Sequence, residues 1–321
     1  MSEDAQWKRT PLIIYWPRAD RNIDCYYSLN DNALMSVEDA SFMPKLKSIF
    51  FHETSCRGGV DSRQACAVES AARANPDWEV YLLFNAPVSS VMHRKSCLVK
   101  LLQYPNVRLA RIHADSFSRE SAVQQIVRRD WRRSRYPVEH SADIMRMLTL
   151  HRWGGISLDL DMLVVKSFNN LTQNWMVKTS SFDLGTGVMR LSKDEVGQNL
   201  TTEIIQEIYS TYDKKQWSAF GAKAIERVLK RRCPDLHTAS SGDCQGLSIY
   251  SRELFYPIGL SRANSLVREW PLMQLKEEPY TYHLWNLLTK MFTVHPKSPY
   301  AMMASKLCPE IYGTYGDAFG V

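Results

Sequence analysis

The chain has 321 residues, 45% of them hydrophobic and 23% charged, the balance of an ordinary globular protein with one large domain or two small ones. Its formal net charge of +6 suits an anionic ligand such as a nucleotide diphosphate or a lipid headgroup, and is too modest to argue for nucleic acid. No apolar run reaches the roughly 18 residues of a membrane span, and the stretch Pro11-Leu12-Ile13-Ile14-Tyr15-Trp16 is too short for the apolar region of a signal peptide.

Residues 1–46 lack sustained periodicity and read as a tail or stem. Residues 47–54 then read as a first buried strand, and 62–75 as a helix of small residues with Glu69 and Arg73 spaced as an i,i+4 ion pair. Pro76-Asp77 breaks that helix, 78–84 is a second strand, 93–103 a helix, and 107–112 a third strand. The next helix, 139–153, carries the stripe Ile144, Met147, Leu148 and His151 and stops at Gly154-Gly155. A fourth strand follows at once, apolar at Ile156, Leu158, Leu160 and Met162 and running on through Val165. Helices are expected near 203–211 and 219–232, followed by aromatic-rich segments. Strands alternating with helices predict an α/β fold built on parallel βαβ units.

The fourth strand carries the most informative pattern, Asp159-Leu160-Asp161 behind a glycine pair. Along a strand both carboxylates project to one side, where their charge is costly without a partner. A divalent cation that in turn grips a phosphate is the economical partner. Mn²⁺ or Mg²⁺ on hard carboxylate oxygens would screen the diphosphate that a nucleotide sugar leaves behind.

Asp143 and Arg146 lie three apart on the preceding helix, beside its apolar stripe. There an aspartate can take ribose or sugar hydroxyls and an arginine can clamp phosphate, although read alone the two are as well a surface ion pair. His283 is a candidate third metal ligand and Trp285 a candidate sugar-stacking platform; read alone, the histidine is better taken as packed in an aromatic cluster. Arg128, Arg129, Arg132, Arg133 and Arg135 form the most basic run, read as a phosphate-facing or acceptor-facing loop since no nucleic-acid module accompanies it.

Seven cysteines include no C-x-x-C pair, which argues against zinc. The spacings Cys56/Cys66 and Cys233/Cys244 each suit a disulfide loop. Together with the sequons at Asn170 and Asn199, they favour a secretory-pathway lumen over the cytosol.

In order along the chain, Ile49-Phe50-Phe51-His52-Glu53-Thr54-Ser55, Cys66 to Arg73, Asp143-Ile144-Met145-Arg146, Gly154 to Asp161, Phe255-Tyr256-Pro257-Ile258 and His283-Leu284-Trp285-Asn286 resemble the α-1,4-glycosyltransferases, over roughly residues 47 to 310. The family includes the lactosylceramide 4-α-galactosyltransferases and the α-1,4-N-acetylglucosaminyltransferases. The resemblance implies a GT-A fold, a Rossmann-like mostly parallel sheet, with a nucleotide-sugar-binding half at 47–165 and an acceptor-binding half at 166–321. It implies a retaining, Mn²⁺-dependent hexosyltransferase that moves galactose or N-acetylgalactosamine from the UDP-sugar to a galactose-type glycolipid acceptor in α-1,4 linkage. The alternatives are a non-catalytic carbohydrate- or nucleotide-binding relative and an N-acetylglucosaminyl transfer to protein-linked glycans.

By resemblance Asp159, Asp161 and His283 hold the metal, while Asp143 and Arg146 contact the donor; no catalytic nucleophile can be named. The partners implied are the nucleotide-sugar donor, the glycolipid acceptor and the Golgi membrane surface, with no nucleic acid. The location implied is the lumenal side of the Golgi, on a type II membrane anchor that this sequence does not display. Where the family usually has tyrosine this chain has Ser157, so one donor contact is expected to be missing or replaced.

Overall fold

The computed structural model describes residues 22–28, 32–180, 183–217, 221–234, 241–269 and 278–320. Strand β1 (Ser48–Glu53) leads into α1 (Ser62–Ala74), β2 (Glu79–Phe84), the short helices α2 (Ser90–Lys95) and α3 (Leu98–Leu101), then β3 (Val107–Arg111) and α4 (Ala114–Phe117). The long helix α5 (Pro137–Trp153) precedes β4 (Gly155–Leu158) and β5 (Met162–Val164). After β6 (Trp175–Lys178) and β7 (Leu184–Leu191) come α6 (Glu195–Thr211), α7 (Gly221–Arg232), β8 (Gly242–Cys244) and β9 (Leu247–Tyr250). The chain closes with β10 (Thr281–His283) and helices α8 (Asn286–Thr289), α9 (Pro299–Leu307) and α10 (Pro309–Tyr315).

One sheet runs in the order β3-β2-β1-β4-β7-β6-β9-β8, and β5 pairs with β10 outside it. The first four strands are parallel, as their near-continuous apolar runs require of strands covered on both faces. From β7 onward the sheet is mixed: β7 is antiparallel to both β4 and β6, while β9 is parallel to β6. Period-two alternation divides the core. Ile49, Phe51, Leu82, Ile156 and Leu158 face the layer that includes α1, α9 and α10, while Phe50, Tyr81, Leu83 and Met189 face α5, α6 and α7. This is the α/β architecture, parallel over half of its sheet, that the alternation of strands and helices predicts.

Helix termini follow local chemistry. Asp61 and Gln64 form a capping box on α1. Pro137 opens α5, and Gly154, at φ 68°, ends it. A side chain on Gly155 would lie 2.6 Å from the Ser48 carbonyl, so only glycine lets β4 start so close to β1.

Several expectations are corrected. The fourth strand does not carry the aspartates through: β4 ends at Leu158, a turn closed by Met162 N–H to the Asp159 carbonyl (3.0 Å) intervenes, and β5 leaves the main sheet. The helix expected at 93–103 is split by Ser96, whose backbone is extended. Helix α6 starts at Glu195, earlier than expected, because Asp194 caps it. Glu69 does not pair with Arg73. Fully buried, it accepts the backbone N–H groups of Glu310 and Ile311 at the start of α10. Residues of the expected tail are laid on the domain: Tyr26, Val37 and Phe42 are buried, and the backbone around Val37 bonds Arg111 on β3.

Cys233–Cys244 is a disulfide, as the spacing suggests, but Cys56 and Cys66 do not pair with each other. Cys66 sits on a buried turn of α1 and reaches Cys308, while Cys56 reaches Cys25. Their partners lie far along the chain, and spacing cannot reveal such pairs. Asn170 occupies an exposed turn, whereas the sequon of Asn199 lies within α6 and its Thr201 is fully buried. No helix among the described residues is long and apolar enough to cross a membrane.

Candidate active site

The carboxyl ends of β1 and β4, the inward face of α5 and the turn after β10 meet at one cleft, which encloses about 710 Å³. Its lining includes Glu53, Asp143, Arg146, Asp159, Asp161 and, at its edges, Trp217 and Lys290. Register explains how residues so far apart in sequence meet. β10 pairs antiparallel with β5, His283 opposite Met162, and this places the imidazole beside the turn that holds the two aspartates.

Asp161 is knitted to the segment after β10. Its carbonyl accepts Leu284 N–H (2.9 Å), its Oδ2 accepts Asn286 N–H (2.7 Å), and its Oδ1 lies 3.2 Å from His283 Nε2. Burial pushes the Asp161 carboxyl up, but His283 and these donors outweigh it and hold it below the usual carboxylate range. Burial likewise lowers His283, and the Asp161 charge more than restores it. His283 Nδ1 accepts Trp285 N–H (3.2 Å), made possible by the left-handed backbone of Trp285 at φ 53°.

Arg146, 4% exposed, bridges two carboxylates: Asp143 Oδ1 at 2.7 Å and Asp159 Oδ1 in a short ion pair. Burial raises the Asp143 carboxyl, and Arg146 only partly offsets this. His52 on β1 bonds Thr149 (2.8 Å) and is pushed down to about 3 by burial and by Arg146, so it is neutral at any working pH. Two glycines make room for the acids. A side chain at Gly187 would sit 3.1 Å from Asp159 Oδ2, and one at Gly221 only 2.1 Å from Asp143 Oδ2.

Asp159, Asp161 and His283 each offer a ligand atom, and these atoms lie within 4.8 Å of one another. Two carboxylate oxygens and an imidazole nitrogen fit Mn²⁺ or Mg²⁺. The structure brings these three residues together, with Asp143 and Arg146 beside them.

Two expected contributors stand elsewhere. Trp285 packs behind the site, its Nε1 donating to the Ile258 carbonyl (2.7 Å) and its ring edge-on to His283, so it is not on the cleft lining. The arginine run is likewise off the lining: Arg128 pairs with Asp115, and Arg132 pairs with Asp24 and covers Tyr27. Ser157 is fully buried in β4 between Phe50 and Met189, facing the core and not the cleft. Sequence reasoning missed Glu53, Trp217 and the two glycines. A lone tryptophan in a polar segment carries no pattern, and Gly221 is recognisable only once Asp143 is seen against it.

Residues 61–178 match a family model described as the glycosyltransferase sugar-binding region containing the DXD motif, and residues 193–315 match the alpha 1,4-glycosyltransferase conserved region. Among curated relatives, the lactosylceramide 4-alpha-galactosyltransferase of Mus musculus is 26% identical over 316 residues, spanning 93% of this chain and 84% of its own length. The alpha-1,4-N-acetylglucosaminyltransferase of Homo sapiens is 22% identical over 254 residues, spanning 75% of this chain and 71% of its own. Among solved structures, the galactosyltransferase LgtC in complex with donor and acceptor sugar analogs aligns with TM-score 0.43 and 14% identity, over 83% of this chain and 99% of that one.

Proposed function

We propose that this chain, which belongs to the α-1,4-glycosyltransferases with a D-x-D sugar-binding region and is a hexosyltransferase, moves galactose or N-acetylgalactosamine from a UDP-sugar to a galactose-type glycolipid acceptor in α-1,4 linkage with retention. The observation that carries the reading is the convergence of three possible ligands: Asp159 and Asp161 line one cleft with Asp143 and Arg146, and His283 reaches the two aspartates from behind that lining. The similarity to lactosylceramide 4-alpha-galactosyltransferases supports the acceptor class.

In this reading Asp159, Asp161 and His283 would hold a divalent ion, Mn²⁺ in the first instance, and its charge would screen the diphosphate leaving group. Asp143 accepts hydroxyls of the donor's ribose or sugar. Arg146 holds Asp143 and Asp159 in place and faces the donor with its remaining polar edge. Lys290 and Arg57, at the rim of the same cleft, add positive charge for the diphosphate. Three disulfides support an oxidising compartment, the Golgi lumen in this reading, with the acceptor presented at the membrane surface.

The test is UDP release from UDP-galactose, UDP-N-acetylgalactosamine and UDP-N-acetylglucosamine, each with lactosylceramide and with a glycoprotein acceptor, in Mn²⁺. Turnover with a galactose-type donor on the lipid supports the proposal. Turnover confined to UDP-N-acetylglucosamine and the glycoprotein, or none with any donor, overturns it.

A further inference from the structure

Trp217 is 46% exposed and lines the cleft that contains Asp143, Asp159 and Asp161. Among the described residues its ring has neither an aromatic nor a cationic partner. Large aromatic side chains normally bury most of their surface, so an indole held bare beside a binding cleft calls for a ligand.

The segment that presents it is fixed. Gln216 N–H bonds the Asp213 carbonyl (3.1 Å), Lys215 N–H bonds Asp213 Oδ1 (2.9 Å), and the Lys214 carbonyl accepts Arg135 N–H (2.8 Å). The Gln216 carbonyl faces His140 Nε2 at 3.0 Å, which makes that nitrogen the donor and leaves Nδ1 to accept from the Ser134 hydroxyl at 2.8 Å. His140 is fully buried and held at about 4 by its burial, so the neutral tautomer is the one present. It sits on α5, less than one turn before Asp143. One helix therefore sets the position of both the donor-side carboxylate and the exposed indole.

Depth separates the two ends of the cleft. The side chains of Arg146, Asp143 and Asp159 are 5%, 19% and 33% exposed and form its floor, whereas Trp217 and Met291 (71% exposed) stand at its mouth. A donor anchored by its diphosphate at the floor leaves the mouth to the second substrate. A galactopyranose gathers the C–H groups of C3, C4 and C5 on one face, and its axial 4-hydroxyl points to the other. Stacked on an indole by the apolar face, the sugar directs O4 away from the ring and into the cleft.

We propose that Trp217 is the acceptor platform: its indole stacks on the C–H face of a terminal galactose-type sugar and turns the axial 4-hydroxyl toward the donor. This deepens the functional reading above and rests on it. The sugar configured like glucose, with an equatorial O4, presents no such aim and is a poor acceptor.

The experiment uses the intact chain with Mn²⁺, UDP-galactose and a soluble β-lactoside, comparing wild type with Trp217→Ala and Trp217→Phe. Expected are at least a tenfold rise in acceptor KM for Trp217→Ala, recovery of most of it by Trp217→Phe, and unchanged affinity for UDP with Mn²⁺ in both. A wild-type chain that does not bind UDP refutes the donor reading itself. If wild type binds UDP, the platform is overturned by an unchanged acceptor KM in Trp217→Ala, or by a loss of UDP affinity that parallels it. The C4 epimer, a β-cellobioside, is expected to be turned over at least tenfold less efficiently by wild type; equal use of both overturns the stacking geometry.

Discussion

Replacing Arg146 with alanine removes the single cation between Asp143 and Asp159. Arg146 is 4% exposed and its guanidinium contacts a carboxylate on each side, so the variant leaves two acids facing one another in a mostly buried setting. Breaking a buried pair from one side costs about 3 to 5 kcal/mol. Asp159 is 33% exposed, and solvent screens its share, which brings the expectation to the lower end, about 3 kcal/mol. At roughly 2 to 4 °C per kcal/mol for chains approaching this size, the thermal midpoint falls by about 6 to 12 °C. The deficit is electrostatic, so a divalent ion on Asp159, Asp161 and His283 restores part of the missing charge. Thermal unfolding in EDTA and in saturating MnCl₂ reads both effects, with Mn²⁺ raising the midpoint of Arg146→Ala more than that of wild type. Arg146→Lys keeps the charge but not the planar fork, and falls between the two. A midpoint for Arg146→Ala in EDTA equal to that of wild type would refute the bridging role. An ion-induced shift no larger than that of wild type would refute the link between Arg146 and the metal carboxylates.

Glu53, 1% exposed, is pushed up to about 7 by burial, against which the Ser55 and Arg57 contacts only partly act. Its folded pKa lies above its unfolded one, so the folded chain holds the extra proton between pH ~4.5 and ~7 and loses up to about 3 kcal/mol of stability as the pH rises through that window. Glu53→Gln removes this loss and is more stable than wild type at pH 8, with the gain fading toward pH 5; denaturant titrations at the two pH values check it, and a gain that does not fade contradicts it. Chain entropy ranks the disulfides: opening Cys66–Cys308, separated by 242 residues, costs about 5.5 kcal/mol, against about 3 kcal/mol for Cys233–Cys244, separated by 11. Serine variants of each pair, compared by thermal melting, should keep that order, and the reverse order would show that native strain or denatured-state structure dominates. In secreted material, glycopeptide mapping is expected to find Asn170 occupied and Asn199 bare, because Thr201 of the second sequon is buried and bonded to the Gly197 carbonyl (2.9 Å); occupancy at Asn199 would contradict this.

The parallel half of the fold is legible in sequence because each of its elements is local. β1, β2 and β3 are bounded apolar runs, and α5 is bracketed by a proline and a glycine. Legibility ends where a residue's role depends on a distant partner. The pairing of β5 with β10 takes Met162 and Leu163 out of the main sheet, and nothing in residues 156–165 announces it. Cys66–Cys308 and the inward turn of Glu69 toward α10 fail for the same reason. At the site, the aspartate pair stands out from its apolar context, whereas the approach of His283 to it depends on the distant pairing of β10 with β5. Trp285, expected as a sugar-stacking platform, packs behind the site with its bond to the Ile258 carbonyl, while the tryptophan on the cleft lining is Trp217, from an unpatterned segment.

Asp159, Asp161 and His283 would hold a divalent ion, and its charge would make the diphosphate of a UDP-sugar a leaving group. Asp161→Asn keeps the side chain's shape and its acceptor oxygen for Asn286 N–H while removing its charge. The direct measurement is the rate of UDP release from UDP-galactose with a β-lactoside acceptor, for wild type and Asp161→Asn, across a titration of MnCl₂ from a metal-free start. Wild type is expected to be silent without metal and active with it. Asp161→Asn is expected to lose on the order of 10² to 10³ in rate at saturating metal while the chain stays folded, its thermal midpoint lowered by the loss of the Asp161–His283 charge contact. Full turnover in EDTA, or near-normal turnover by Asp161→Asn in Mn²⁺, would contradict this role for the ion.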